Sequence, residues 1–144
     1  MNTVSEILKA KGRNIWSISP HATVYEALQL LADKDVGALL VIEEGKLVGI
    51  FSERDYARKV ILKGKSSKET SVEELMTKEV LYVSPTDTIE NCMALMTAKR
   101  IRHLPVLEND RLVGIVTIGD VVNQIISEQQ FTIQELEKYI HGGI

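Results

Sequence analysis

The sequence predicts an α/β (α+β) protein built from two tandem β-α-β-β-α repeats, and three observations carry that prediction. Sliding the chain against itself by 65 residues aligns 17–55 with 82–120 without a gap, and 13 of the 39 positions are identical. Within each copy the apolar pattern alternates between short continuous runs and helical spacing. Ser-Pro and a polar four-residue stretch, Glu-Glu-Gly-Lys or Glu-Asn-Asp-Arg, punctuate both copies at matching places. Self-similarity at a fixed period identifies the structural unit before any local motif does.

Each copy opens on a short apolar strand, IWSIS at 15–19 or LYVS at 81–84, stopped by Ser-Pro, which favours an extended or turn conformation. A helix follows. Thr23 and Glu26 form a capping-box pattern ahead of Val24, Ala27, Leu28 and Leu31, and Ile89, Cys92, Met93 and Met96 recur at the same spacing in the second copy. Two apolar runs come next, ALLVI with LVGIF and LPVL with LVGIV, joined by the polar stretches as hairpins. Their continuous apolar character predicts buried strands. A second helix carries Ala57, Val60 and Ile61, or Val122, Ile125 and Ile126, and KGKSSKETS at 63–71 links the copies. The domains are therefore expected at 1–68 and 69–144, the second ending in a C-terminal helix. That helix has Ile133, Leu136 and Ile140 on one stripe, which should pack on the domain or on a second subunit. A unit of about 55 residues is marginal alone, so the copies are expected to pack through their sheets about a pseudo-twofold axis.

Composition narrows the function classes. A net charge of −3 and 44% hydrophobic residues describe a globular chain with no net attraction for nucleic acid or an anionic membrane, so neither partner is expected. One cysteine, Cys92, excludes an intrachain disulfide and predicts a buried thiol in a reducing compartment. No stretch approaches the roughly 18 apolar residues of a membrane helix, and MNTVSEILKAKGRN lacks secretory character, so a cytoplasmic location is expected. His21, His103 and His141 are scattered without ligand spacing, so no metal is expected. Met76, Met93, Met96 and Trp16 read as packing residues.

The chemistry concentrates where LVGI runs into S-x-x-D (Ser52, Asp55) or T-x-x-D (Thr117, Asp120). There a strand ends and a helix begins, so free helical N–H groups attract phosphate, while a carboxylate suits the paired hydroxyls of a ribose. The same spacing is also a capping box that needs no ligand. Arg54 and Arg102 adjoin these positions and suit multi-oxygen anions, whereas Arg58, Lys59 and Lys99 read as solvated helix faces. Thr117 and Asp120 have no arginine to match Arg54, since Gly119 stands there.

The strand ending in Ser-Pro, the amphipathic helix, RHLPV at 102–106 and the LVGI motifs make both copies resemble cystathionine-β-synthase (CBS) domains, and the chain a CBS pair or Bateman module. The resemblance implies a non-catalytic regulatory module binding an adenosine-containing ligand, AMP, ADP, ATP, NAD or S-adenosylmethionine, in the cleft between the repeats. It implies that Asp55 and Asp120 hold ribose, Ser52 and Thr117 reach phosphate, and Ile18 and Val83 enclose the base. Gly37, Ala38, Arg54, Arg102, His103 and Pro105 complete the implied set. In related pairs the aspartate of one repeat shares its cleft with the Arg/His segment of the other, which would seat Asp55 with Arg102 and His103, and Asp120 with Gly37 and Ala38. The arginines favour adenine nucleotides or NAD over the sulfonium ligand. A homodimer and a separate regulated protein are implied partners. The competing functions are a structural dimerisation module, in which the motifs are caps only, and a nucleotide-processing enzyme.

Overall fold

The computed structural model describes residues 2–142. By packing, the chain forms two compact units, one spanning 14–81 and the other combining 1–13 with 82–144. In the first, β1 (Ser17–Ile18) pairs in parallel with β2 (Ala38–Glu43), which pairs antiparallel with β3 (Lys46–Ser52). The helix α2 (Val24–Lys34) precedes β2. It begins as the sequence predicts: Thr23 Oγ1 accepts from Glu26 N at 3.1 Å, and Glu26 Oε1 accepts from Thr23 N at 3.0 Å. Val24, Ala27 and Leu31 on its inner face join Leu39, Val41, Phe51 and Val60 in the core. The segment after β3 is α3 (Glu53–Asp55) running into a π-helical stretch (Tyr56–Ile61), where the sequence predicts one regular helix; Val60 points inward and Ile61 stays exposed.

The second unit repeats the plan with α5 (Ile89–Lys99), β4 (His103–Glu108), β5 (Arg111–Thr117) and α6 (Ile118–Glu137). Its core gathers Ile89, Cys92, Met96, Leu104, Val106, Val116 and Val121. Both hairpins are closed by two consecutive positive-φ residues, Glu44 with Gly45 and Asn109 with Asp110, the geometry that tight β-hairpins demand. The β2 and β4 runs are buried, whereas β3 and β5 alternate, so LVGI lines a half-covered face rather than a fully buried strand.

The predicted opening strand of the second copy shrinks to one bridge, Val83 with Val106. Proline explains it. In the first unit Leu40 N donates to Trp16 O at 3.1 Å; the matching residue in the second is Pro105, which has no N–H for Leu81 O. Only the bonds of Val83 to Pro105 O and from Leu107 N survive.

Packing also exposes a repeated element that the 65-residue register hides. The helix α1 (Val4–Lys11) and the short α4 (Val72–Leu75) occupy equivalent places in opposite units. Val4 N donates to Asp87 O at 2.9 Å, as Val72 N does to Ala22 O at 2.8 Å. Ser5 N and Glu73 N reach Pro85 O and Pro20 O in the same way. Each unit is thus completed by the leading helix of the other copy. The glycine of LVGI admits that helix. A Cβ on Gly114 would stand 2.7 Å from Leu8 Cδ2, and one on Gly49 would stand 2.5 Å from Met76 Sδ and 3.0 Å from Thr77 O.

The C-terminal stripe does not pack on its own unit. Phe131, Ile133, Leu136 and Ile140 are all more than half exposed along α6 and its π-helical continuation (Lys138–Gly142).

Candidate functional site

Each S/T-x-x-D motif forms the turn from the last strand of its unit into the following helix. Ser52 and Thr117 keep extended backbones while their side chains accept from the third residue on: Asp55 N to Ser52 Oγ at 3.3 Å, Asp120 N to Thr117 Oγ1 at 3.1 Å. The carboxylates answer, Asp55 Oδ2 accepting from Ser52 N at 2.9 Å and Asp120 Oδ2 from Thr117 N at 2.8 Å. Both motifs are therefore complete capping boxes. The neighbouring strand brings in the second group of expected residues. Ala38 lies opposite Ser52, and Gly37 O accepts from Glu53 N at 3.1 Å. In the other unit His103 lies opposite Thr117, and Arg102 O accepts from Ile118 N at 2.9 Å. Ser52, Asp55, Gly37 and Ala38 thus meet at one turn, and Thr117, Asp120, Arg102 and His103 at the other.

A buried carboxylate needs counter-charge. The Asp55 side chain is only 11% exposed, and its Oδ1 forms an ion pair with Lys59 Nζ at 3.1 Å and accepts from Thr77 Oγ1 at 3.4 Å. Lys59 also donates to Leu75 O at 3.0 Å. Its side chain keeps 37% of its surface exposed, as its sequence context predicts, but its ammonium is engaged by the carboxylate one turn earlier. At the other turn the equivalent of Lys59 is Gln124, and the cation comes instead from α1: Lys11 Nζ donates to Asp120 Oδ2 at 2.7 Å and to Ile115 O at 3.1 Å. The helix carrying Asp120 has Gly119 and Gln124 where the other copy has Arg54 and Lys59, and the cation is supplied by a lysine more than 100 residues away in sequence. Nothing local could have found Lys11; the one signal was a lysine closing an N-terminal helix. Burial, and then the positive charges of Lys11 and Arg102, push the His103 pKa below its ordinary 6.5, with Asp120 opposing, so its ring is neutral at pH 7.

The remaining expected residues sit further inside. Ile18 is half-buried against the core of the first unit and pairs with Val41. Val83, 2% exposed, belongs to the core of the second. Pro105 is buried in the middle of β4 opposite Ile115, and Arg54 is half-buried on α3. Trp16 packs on the surface, with Lys34 Nζ 4.4 Å from its ring centre. Beside the Lys11–Asp120 pair, α1 and α6 enclose a cavity of about 210 Å³ that Ala10, Asn123 and Ser127 help to line. Among the described residues no three His, Cys, Asp or Glu side chains come together as metal ligands, and no helix is long and apolar enough to cross a membrane. His21 contacts Glu43 at 2.6 Å on the exposed surface; the His141 side chain lies outside the described residues.

Comparison with known proteins agrees with this architecture. The CBS-domain family model matches residues 4–62 and 72–127. CBS domain-containing protein CBSX3, mitochondrial, of Arabidopsis thaliana is 40% identical over 98% of this chain and 73% of its own. A solved structure of a protein with CBS domains from Burkholderia ambifaria MC40-6 is 52% identical with a TM-score of 0.86, covering 91% of this chain and 98% of that one. CBSX2, solved in complex with AMP, is 28% identical with a TM-score of 0.74, covering 88% and 98%. Two matched copies, the shared fold and the motif turns lead to one conclusion: the chain belongs to the CBS-domain family, as a tandem pair.

Proposed function

We propose that this CBS pair is a non-catalytic regulatory module that binds an adenine nucleotide, AMP, ADP, ATP or NAD, at its motif turns and passes the signal to a separate protein. The observation that carries the proposal is the pair of motif turns, each presenting a carboxylate and a hydroxyl beside a lysine. A carboxylate accepts from ribose hydroxyls, and a nearby ammonium complements phosphate. The CBSX2 complex with AMP supports the same ligand class. Arg102, exposed beside the Asp120 turn, adds positive charge on that side.

We assign self-association to the exposed apolar side chains that follow each motif. Ile61 and Leu62 in one unit, and Ile118, Val122 and Ile126 in the other, expose apolar surface that a homodimer would cover. Sedimentation at micromolar protein should show a dimer.

One observation favours a structural alternative: both aspartates and both hydroxyls already serve as caps. Ligand-dependent melting separates the two readings, because a ligand that selects the native state raises its melting temperature by mass action. AMP, ADP, ATP or NAD should raise it, and guanosine nucleotides less. No shift from any nucleotide supports the capping role alone.

A further inference from the structure

We infer that Lys11 is a built-in competitor for the ribose acceptor at the Asp120 turn, and that it makes this turn select phosphorylated nucleosides over bare ones; the inference rests on the nucleotide-binding reading above. Three observations converge on Lys11. First, its ammonium holds Asp120 Oδ2 at 2.7 Å, the same oxygen that accepts from Thr117 N. With the cap and the lysine both on Oδ2, a ribose whose paired hydroxyls engage both carboxylate oxygens must share or displace the ammonium at Oδ2. Second, Lys11 is anchored on the protein side by Ile115 O at 3.1 Å, so it can release the carboxylate without losing every partner. Third, the pair is partly open, with side chains 31% and 20% exposed, beside the cavity of about 210 Å³ between α1 and α6. Partly exposed ion pairs are weakly held, so this one opens readily. Pockets that enclose a whole small-molecule ligand run to about 300–1,000 Å³, so this cavity accommodates the displaced lysine or one part of a nucleotide rather than all of it.

The consequence is a crossed dependence on phosphate. A nucleoside that takes Asp120 leaves the ammonium with one partner fewer and gives nothing back. A nucleotide supplies phosphate oxygens to which the ammonium transfers, forming a charge-assisted hydrogen bond in place of the one lost. Lys59 at the Asp55 turn differs: it pairs within its own helix, one turn from its aspartate, and is also held by Leu75 O. Lys11 instead arrives on α1, so any movement of its ammonium is felt by the helix that completes the unit.

The test is calorimetric titration with AMP and with adenosine of the full chain in an Asp55→Asn background, which leaves the Asp120 turn to be read alone. AMP should bind at least tenfold more tightly than adenosine. Adding Lys11→Met should weaken AMP by about tenfold or more while leaving adenosine unchanged or tighter, and adding Lys11→Arg should retain the preference. Melting of each variant confirms that it is folded. An AMP-to-adenosine ratio unmoved by Lys11→Met, or lost equally in Lys11→Arg, overturns the role of Lys11 while nucleotide binding stands. If wild type binds AMP and the Asp55→Asn background does not, the Asp120 turn is not a nucleotide site and the inference falls. If wild type binds no nucleotide, the functional proposal falls with it.

Discussion

Replacing Gly114 by alanine should destabilise the protein, and shortening Leu8 should restore part of the loss. The new Cβ would stand 2.7 Å from Leu8 Cδ2 and 3.2 Å from Leu8 Cδ1, inside the distance that real Cβ atoms keep. Leu8 is 1% exposed, so its side chain has little room to retreat. Overpacking of this kind costs about 1–3 kcal/mol. Alanine also stiffens the unfolded chain, which returns roughly 0.4–1 kcal/mol, because the Gly114 backbone is not in the left-handed region. The net loss should be about 0.5–2 kcal/mol, or a few degrees of melting temperature for a chain of this size. Leu8→Ala alone leaves a cavity and should cost about 2–5 kcal/mol. Together the two should cost less than their sum, since the alanine methyl enters space that the leucine vacates. Urea denaturation followed by circular dichroism on the four proteins of this cycle measures the coupling. Strict additivity, or a neutral Gly114→Ala, would refute the packing of α1 against β5 and with it the exchange of leading helices.

Two further outcomes follow from perturbed groups. Burial, reinforced by the Asp87 charge, pushes the Cys92 thiol up to about 11, so roughly one thiol in a thousand is ionised at pH 8 and an aromatic disulfide reagent should label the native protein far more slowly than the urea-unfolded chain; equal rates would contradict this. The His103 pKa lies below 6.5 in the folded state, so the unfolded chain takes up more protons as pH falls through 6.5, and the contribution of His103 to stability, intact above that value, is lost progressively on acidification toward the lower folded pKa. Denaturation between pH 7.5 and 5.5 should show a shallower pH dependence in His103→Gln than in wild type, and identical slopes would show that His103 titrates as an ordinary histidine.

Much of the architecture was legible because its signals are local or repeated. The Thr23–Glu26 capping box, the two hairpin turns and the apolar face of α2 are each specified within a few residues, and duplication doubled every signal. The motif turns were legible as capping boxes for the same reason. What sequence patterns did not carry was partnership at a distance. The equivalence of α1 and α4 escaped because their copies are offset differently from the rest of the repeat, and a four-residue helix has no periodicity to read. Lys11 lies more than 100 residues from Asp120, and Lys59 resembled any exposed helical lysine until the buried Asp55 carboxylate was placed beside it. Pro105 carried a readable consequence, the loss of a ladder bond in the second copy, once Leu40 was seen to donate at the matching position.

The most direct test of nucleotide recognition by this CBS pair is calorimetric titration of wild type and of the Asp55→Asn, Asp120→Asn double variant with AMP. Asparagine still offers a side-chain oxygen to the backbone N–H of each cap but loses the charge that pairs with Lys59 and Lys11 and that would accept ribose hydroxyls. Saturable AMP binding in wild type, weakened by tenfold or more in a double variant that melts cooperatively, is the expected result. Absence of saturable heat in wild type up to about 1 mM AMP, or equal binding by both proteins, would contradict it.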